Sequence, residues 1–196
     1  LNIFPGTGLE QAIKKRILPE AATTEMQADL YVVAREYLVQ QKYKRLSACH
    51  WSRSDNEQNR YNGMAKSGAV IYPFGAGAGG NIDGYSLMLH RHITVYQKSL
   101  LSKQKPIMMM AKQNDFQQDA DFIVKEVELG KIDFKELCRR NIKFKELEYI
   151  LEYWKKNKLM YLENGIYYLT IAGEFWYMNI TQSLIECMAG VLTGKI

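Results

Sequence analysis

Three cysteines, Cys49, Cys138 and Cys187, are all that the 196 residues contain, and no two of them are close in the sequence. That spacing excludes a disulfide framework, a zinc site and the clustered thiolates that an iron–sulfur centre needs, and it suits a reducing, cytoplasmic setting. No apolar run approaches the roughly 20 residues needed to cross a bilayer. The longest candidates are interrupted by Lys103 and Lys105 on one side and by Glu174 and Glu186 on the other. A signal peptide is excluded because Asn2, Pro5, Glu10 and Lys14 break the N-terminus too early. There is no initiator methionine. The chain opens on Leu1-Asn2-Ile3-Phe4, which reads as the end of a strand already under way and therefore as a piece of a longer protein. Internal repeats and low-complexity segments are missing too.

What is present is ordinary for a globular protein: 47% hydrophobic residues, 24% charged residues and a net charge of +5. The charge permits an anionic ligand and demands none. Pro5-Gly6-Thr7 forms a turn and cap for a helix from Leu9 to Ile17, which stops before Pro19. Thr24 and Gln27 have capping-box spacing, and Leu30, Val33, Tyr37 and Leu38 continue that helix to about Lys42. A strand is expected over Arg45 to Trp51, then a polar loop to Gln58 and a short helix near Tyr61. Residues 68 to 74 form an almost wholly apolar run, the pattern of a strand covered on both faces. A short strand over Tyr85 to Leu89 and a helix over Ile93 to Leu101 lead to Lys103-Gln104-Lys105-Pro106, read as a domain boundary. Residues 1–105 and 106–196 are thus two domains. In the second, helices are expected near 115–129, 134–139 and 144–157. Asn164-Gly165 between two apolar runs signals a tight hairpin, and a last helix runs from Thr170 to about Leu192. Three helices, a hairpin and a helix make an α+β, winged-helix-like module.

The most informative local feature is Gly75-Ala76-Gly77-Ala78-Gly79-Gly80, directly after the apolar run. Without side chains, a ligand can lie on the backbone and meet its N–H groups. The dinucleotide fingerprint fits in letters through Gly75, Gly77 and Gly80, but no long helix follows, so a tight bend at a sheet edge stands as the alternative. Arg53 and Arg60 share a polar loop and could bind carboxylates bidentately; a solvated loop is the alternative. His90 and His92 would share a strand face and could meet a metal or haem iron, although no third ligand accompanies them. Met108-Met109-Met110 reads as flexible core filler. The helix that would enter a DNA groove carries Glu146, Glu148 and Glu152, which would repel phosphates, so neither a nucleic acid nor a membrane is expected as partner. No residue stands out as catalytic, and no metal-ligand set is assigned.

Taken in order, several pieces resemble the oxygen-independent coproporphyrinogen oxidase family of radical S-adenosylmethionine (SAM) proteins. They are Phe4-Pro5-Gly6-Thr7, Ile17-Leu18-Pro19, Tyr31, Gln41-Lys42-Tyr43, Asn59-Arg60-Tyr61-Asn62, the glycine-rich segment, Tyr96 and Leu169-Thr170-x-x-Gly173. Residues 73–80 with 84–91, and Lys105 to Met109, are most similar to the anaerobic haem-degrading methyltransferase group within it. The resemblance implies an α/β fold, the C-terminal part of a partial TIM-like barrel, followed by the helical module. It implies a cytoplasmic enzyme with SAM and a [4Fe-4S] cluster whose ligands precede Leu1, and a haem or other porphyrin substrate. A missing N-terminal half and a reductant protein are the implied partners. SAM would rest on Gly75, Ala76, Gly77, Ala78, Gly79 and Gly80, with Arg53, Arg60, His90 and His92 toward the substrate. Methyl transfer and ring opening with iron release is the preferred activity. Coproporphyrinogen III decarboxylation, non-catalytic haem trafficking and a nucleic-acid-binding module are the alternatives.

Overall fold

The structure is a computed structural model and describes residues 3–195. The strand end read at Leu1 and Asn2 lies outside the described residues. The chain divides into two compact units, Leu1–Lys44 and Arg45–Ile196.

In the first unit, helix α1 (Gly8–Lys14) begins where Thr7 Oγ accepts the Glu10 N–H at 3.3 Å and Glu10 in turn accepts the Gly6 N–H. Helix α2 (Thr24–Gln40) is capped one residue earlier than the spacing suggested. Thr23, in extended conformation, accepts the Met26 N–H at 3.2 Å, and Thr24 is already helical. Adjacent threonines leave the sequence one residue ambiguous.

The second unit opens with a correction. Arg45 to Trp51 is not one strand: β1 (Lys44–Arg45) and β2 (Trp51–Ser52) form a small ladder. The chain reverses between them, with the Leu46 and Ser47 N–H groups both donating to the His50 carbonyl. Ser47, Ala48 and Ser52 are buried in this turn. Helix α3 (Arg60–Ala65) follows Asn59, which takes the left-handed conformation.

The expected strand over residues 68–74 does not form. Ile71 makes a single antiparallel bridge to Asn81, while Val70, Tyr72 and Phe74 are exposed. Pro73 has no N–H with which to extend a ladder. The strands fall later instead: β3 (Gly79–Ile82), β4 (Tyr85–Leu89) and β5 (Ile107–Lys112) form an antiparallel sheet in that order. Asp83 and Gly84, both at positive φ, turn β3 into β4. Helix α4 (Ile93–Leu101) and the polar stretch 103–105 then carry the chain to β5. The methionine run is not core filler, for Met108, Met109 and Met110 are exposed on an edge strand.

The remaining elements hold the core. They are α5 (Gln117–Glu128), β6 (Lys131–Asp133), α6 (Phe134–Arg140), a 3-10 helix (Ile142–Leu147), α7 (Glu148–Lys156), β7 (Met160–Glu163), β8 (Ile166–Leu169), α8 (Ile171–Phe175) and α9 (Tyr177–Thr193). Asn164 (φ 52) and Gly165 (φ 82) supply the two left-handed residues of the β7–β8 turn. Strand β6 joins that hairpin in the order β6-β8-β7. Phe144, Leu147, Leu151 and Trp154, spaced three to four apart, face inward against Ile123, Val127, Tyr167, Leu184 and Met188. Each such side chain contributes about 1.5–3 kcal/mol by leaving water. Both three-stranded sheets are antiparallel, and among the described residues neither closes into a barrel. The architecture is mixed helix and sheet.

Candidate functional site

The glycine-rich segment is built as a bend tied to the end of β4. The Gly77 N–H donates to the His90 carbonyl at 2.9 Å, Leu89 donates to Ala78, and Ala78 closes a turn onto Gly75. The glycines serve different ends. Gly75, at φ +94, has open space where a Cβ would point, and Ala76 beside it is exposed. Gly77 (φ +77) is flanked by Arg91, whose Cγ would lie 3.6 Å from an added Cβ. Gly80 is closed: a Cβ there would stand 2.4 Å from the Ile71 carbonyl oxygen and 2.6 Å from Pro73 Cδ. The N-terminal half of the bend is therefore a bare backbone ledge, and its C-terminal half is a packing contact inside the sheet. Among the described residues the Gly75 and Ala76 N–H groups make no hydrogen bond within the chain. Two amides and an absent side chain fit a ligand that lies against peptide.

The four polar candidates are placed as follows. Arg53 is exposed on the loop between β2 and α3, and Arg60, also exposed, opens α3, its Nε donating to Gln58 Oε1 at 3.0 Å. Arg60 lines a polar hollow of about 580 Å3 with His50, Asn59 and Tyr61. His90 sits at the end of β4, where its N–H donates to the Pro106 carbonyl and its own carbonyl holds Gly77. His92 is the exposed N-cap residue of α4, without a side-chain cap bond. His90 is thus joined to the glycine bend, whereas Arg53 and Arg60 lie on a separate segment, the β2–α3 loop and the first turn of α3.

Beside the ledge lies an apolar groove of about 670 Å3 between α4 and one face of the β4–β5 pair. Tyr72 and Phe74 enter it from the run before the bend, Tyr85, Leu87 and Leu89 from alternate positions of β4, and Tyr96 and Leu100 from one face of α4. The sequence carries the signal, a period of two at 72/74 and at 85/87/89, and the segments 73–80, 84–91 and 105–109 that resemble the haem-degrading group supply much of the lining.

A second unforeseen feature is a pair of ion pairs that join the loop region to the core. Arg45 Nη1 meets Glu174 Oε1 at 3.1 Å, with only 15% and 7% of the two side chains exposed. Gly130 makes room for it, because a Cβ there would stand 2.4 Å from Arg45 Nη1. Lys66, which follows α3, pairs with Glu128 at the end of α5. Close by, burial pushes the Tyr177 hydroxyl above its ordinary value, and the neighbouring Cys49 and Glu128 push the same way.

The Leu169-Thr170-x-x-Gly173 motif has a structural explanation. Thr170 Oγ accepts the Gly173 N–H at 3.2 Å and donates to the Lys158 carbonyl at 2.7 Å. Gly173 approaches the Leu159 carbonyl so closely that a Cβ would stand 2.0 Å from its oxygen. No group of three or more His, Cys, Asp or Glu residues that could hold a metal ion occurs among the described residues. No helix among them is long and apolar enough to cross a membrane.

No protein-family model matches the chain. In sequence it is 30% identical over 189 residues to anaerobilin synthase of Escherichia coli O157:H7, an alignment covering 95% of this chain and 41% of that protein. The chain thus spans about two-fifths of the length of the curated relative it matches. In structure it is similar to coproporphyrinogen III oxidase (HemN) from Escherichia coli, described as a radical SAM enzyme. The TM-score is 0.64 at 12% identity, over 83% of this chain and 42% of that one. The resemblance read from the sequence is therefore matched twice, by a relative along nearly the whole chain and by a shared fold.

Proposed function

We propose that this chain supplies part of the SAM and porphyrin site of an enzyme that degrades haem without oxygen, by methyl transfer and ring opening with release of iron. The observation that carries the reading is the alignment with anaerobilin synthase over 95% of the chain. The shared fold with a radical SAM coproporphyrinogen oxidase supports the same chemistry class. SAM and a [4Fe-4S] cluster are the cofactors of this reading. The cluster's ligands lie outside these 196 residues, since Cys49, Cys138 and Cys187 cannot form a Cys-x3-Cys-x2-Cys motif.

Each residue's part follows from its surroundings. The Gly75 and Ala76 amides are free to donate to SAM, and the absent side chain at Gly75 lets it approach. Gly77 and Ala78 hold the ledge in place through His90 and Leu89. Gly79 and Gly80 complete the segment by pairing with β4. Arg53 and Arg60 remain the candidates for anionic substrate groups, and His90 or His92 for the haem iron. The helix–strand–helix–helix–hairpin order of residues 117–169 supports naming that part a winged-helix-like module. Coproporphyrinogen III decarboxylation is the second reading, favoured by the structural match.

The experiment is anaerobic reconstitution of the full-length protein with its cluster and SAM, with haem and coproporphyrinogen III supplied in separate reactions, followed by mass spectrometry of the tetrapyrrole. A methylated, opened product is expected. Loss of carboxyl mass from coproporphyrinogen III, with haem untouched, would replace the first reading by the second. No SAM cleavage with a loaded cluster would remove both.

A further inference from the structure

We propose that the groove between α4 and the β4–β5 face seats the flat ring of a carboxylate-bearing tetrapyrrole, with Lys105 at its carboxylate edge. The proposal rests on the porphyrin reading above and adds where on this chain the ring lies; it gives the carboxylates to Lys105 in place of Arg53 and Arg60, neither of which lines the groove.

Half of the groove's lining side chains are exposed. Phe74 is 87% exposed, and Tyr72, Tyr85, Leu100 and Met110 are exposed with it. A contiguous apolar patch left open to water marks a surface meant to be covered. Its space of about 670 Å3 falls within the roughly 300–1,000 Å3 of sites that hold small molecules and cofactors. Four of its lining side chains, Tyr72, Phe74, Tyr85 and Tyr96, are aromatic, and their faces suit a large flat π-system better than an aliphatic chain.

Charge orients the occupant. At the hairpin end the charged lining residue is Asp83, which disfavours a carboxylate there. At the other end Lys105 is the lone charged lining residue, next to Pro106, whose carbonyl accepts the His90 N–H. A ligand with carboxylates along one edge is therefore drawn in with that edge toward Lys105. Phe74, which lines the groove, is the residue directly before Gly75, so groove and ledge are joined along the chain.

The test is an anaerobic absorbance titration of the full-length protein with haem and, separately, with coproporphyrin, paired with equilibrium dialysis of SAM. Phe74→Ala and Lys105→Glu should each raise the haem Kd by about tenfold or more, the equivalent of about 1.4 kcal/mol, and leave SAM affinity unchanged. Leu101→Ala is the control, since Leu101 is 85% exposed and lies outside the groove lining. It should bind haem as the wild type does. Haem affinities for Phe74→Ala and Lys105→Glu within about twofold of wild type would overturn the groove while leaving the porphyrin reading intact. A wild-type protein that binds neither haem nor coproporphyrin would overturn both.

Discussion

Gly75, Gly80 and Gly173 lack side chains for different physical reasons, and substitution separates them. Gly80 and Gly173 each face a carbonyl oxygen closer than any Cβ tolerates. Gly80→Ala and Gly173→Ala must displace backbone, and each should destabilise by about 1–3 kcal/mol or more. Gly75→Ala meets no atom within 4 Å. Its cost is limited to placing alanine at positive φ, about 1–2 kcal/mol. Denaturant midpoints of the three variants check the order, with Gly75→Ala the mildest. The Arg45–Glu174 pair makes a second residue-scale case. Removing the guanidinium takes away a buried counter-charge of Glu174, so Arg45→Met should destabilise, by up to about 3–5 kcal/mol. Replacing both partners together with apolar residues should recover part of that loss, which a double-mutant cycle would read directly.

At the scale of elements, the contact between α7 and β8 gives a pH dependence. The Lys155 ammonium and then the Tyr167 hydroxyl, both donating to Glu152, hold its carboxyl below the ordinary 4.5. A depressed carboxyl stabilises the fold above its unfolded value and loses that contribution as pH falls through the folded one. Burial, followed by the Glu152 hydrogen bond, pushes the Tyr167 hydroxyl well above its ordinary 10. A raised group contributes fully below its unfolded value and ceases to as pH rises past it. One contact therefore weakens on both sides of neutrality. Tyr167→Phe should flatten the alkaline limb of a stability–pH curve, and Glu152→Gln should flatten the acid limb.

The same elements show what was legible in the sequence. The β7–β8 hairpin could be read because Asn164-Gly165 satisfies a backbone requirement few other pairs meet. Strand β4 was also legible, since Asp83 and Gly84, both at positive φ, set its start, and helix α4 keeps the bounds its sequence suggested. The run at 68–74 misled because apolar content reports burial by something, and at this position that something is not a pair of flanking strands. Strands β5 and β6 were missed for the same reason reversed, since exposed methionines and a three-residue strand carry no periodic signal. The break at Trp176 between α8 and α9 leaves no glycine or proline to announce it. Of the site, the ledge at Gly75 was legible. The groove and the Arg45–Glu174 pair were not, because they join segments far apart in the chain.

For the molecule as a whole, the account depends on a backbone ledge that accepts SAM. Ala76 offers the cleanest handle, for it is exposed on the ledge and is not among the residues at positive φ. A larger side chain there would cover the peptide without straining it. The decisive measurement is the SAM dissociation constant of the full-length protein, wild type against Ala76→Leu, by equilibrium dialysis with thermal unfolding run alongside. The account predicts a Kd raised by about tenfold or more with the melting temperature unchanged. Equal affinity in the two proteins would contradict it.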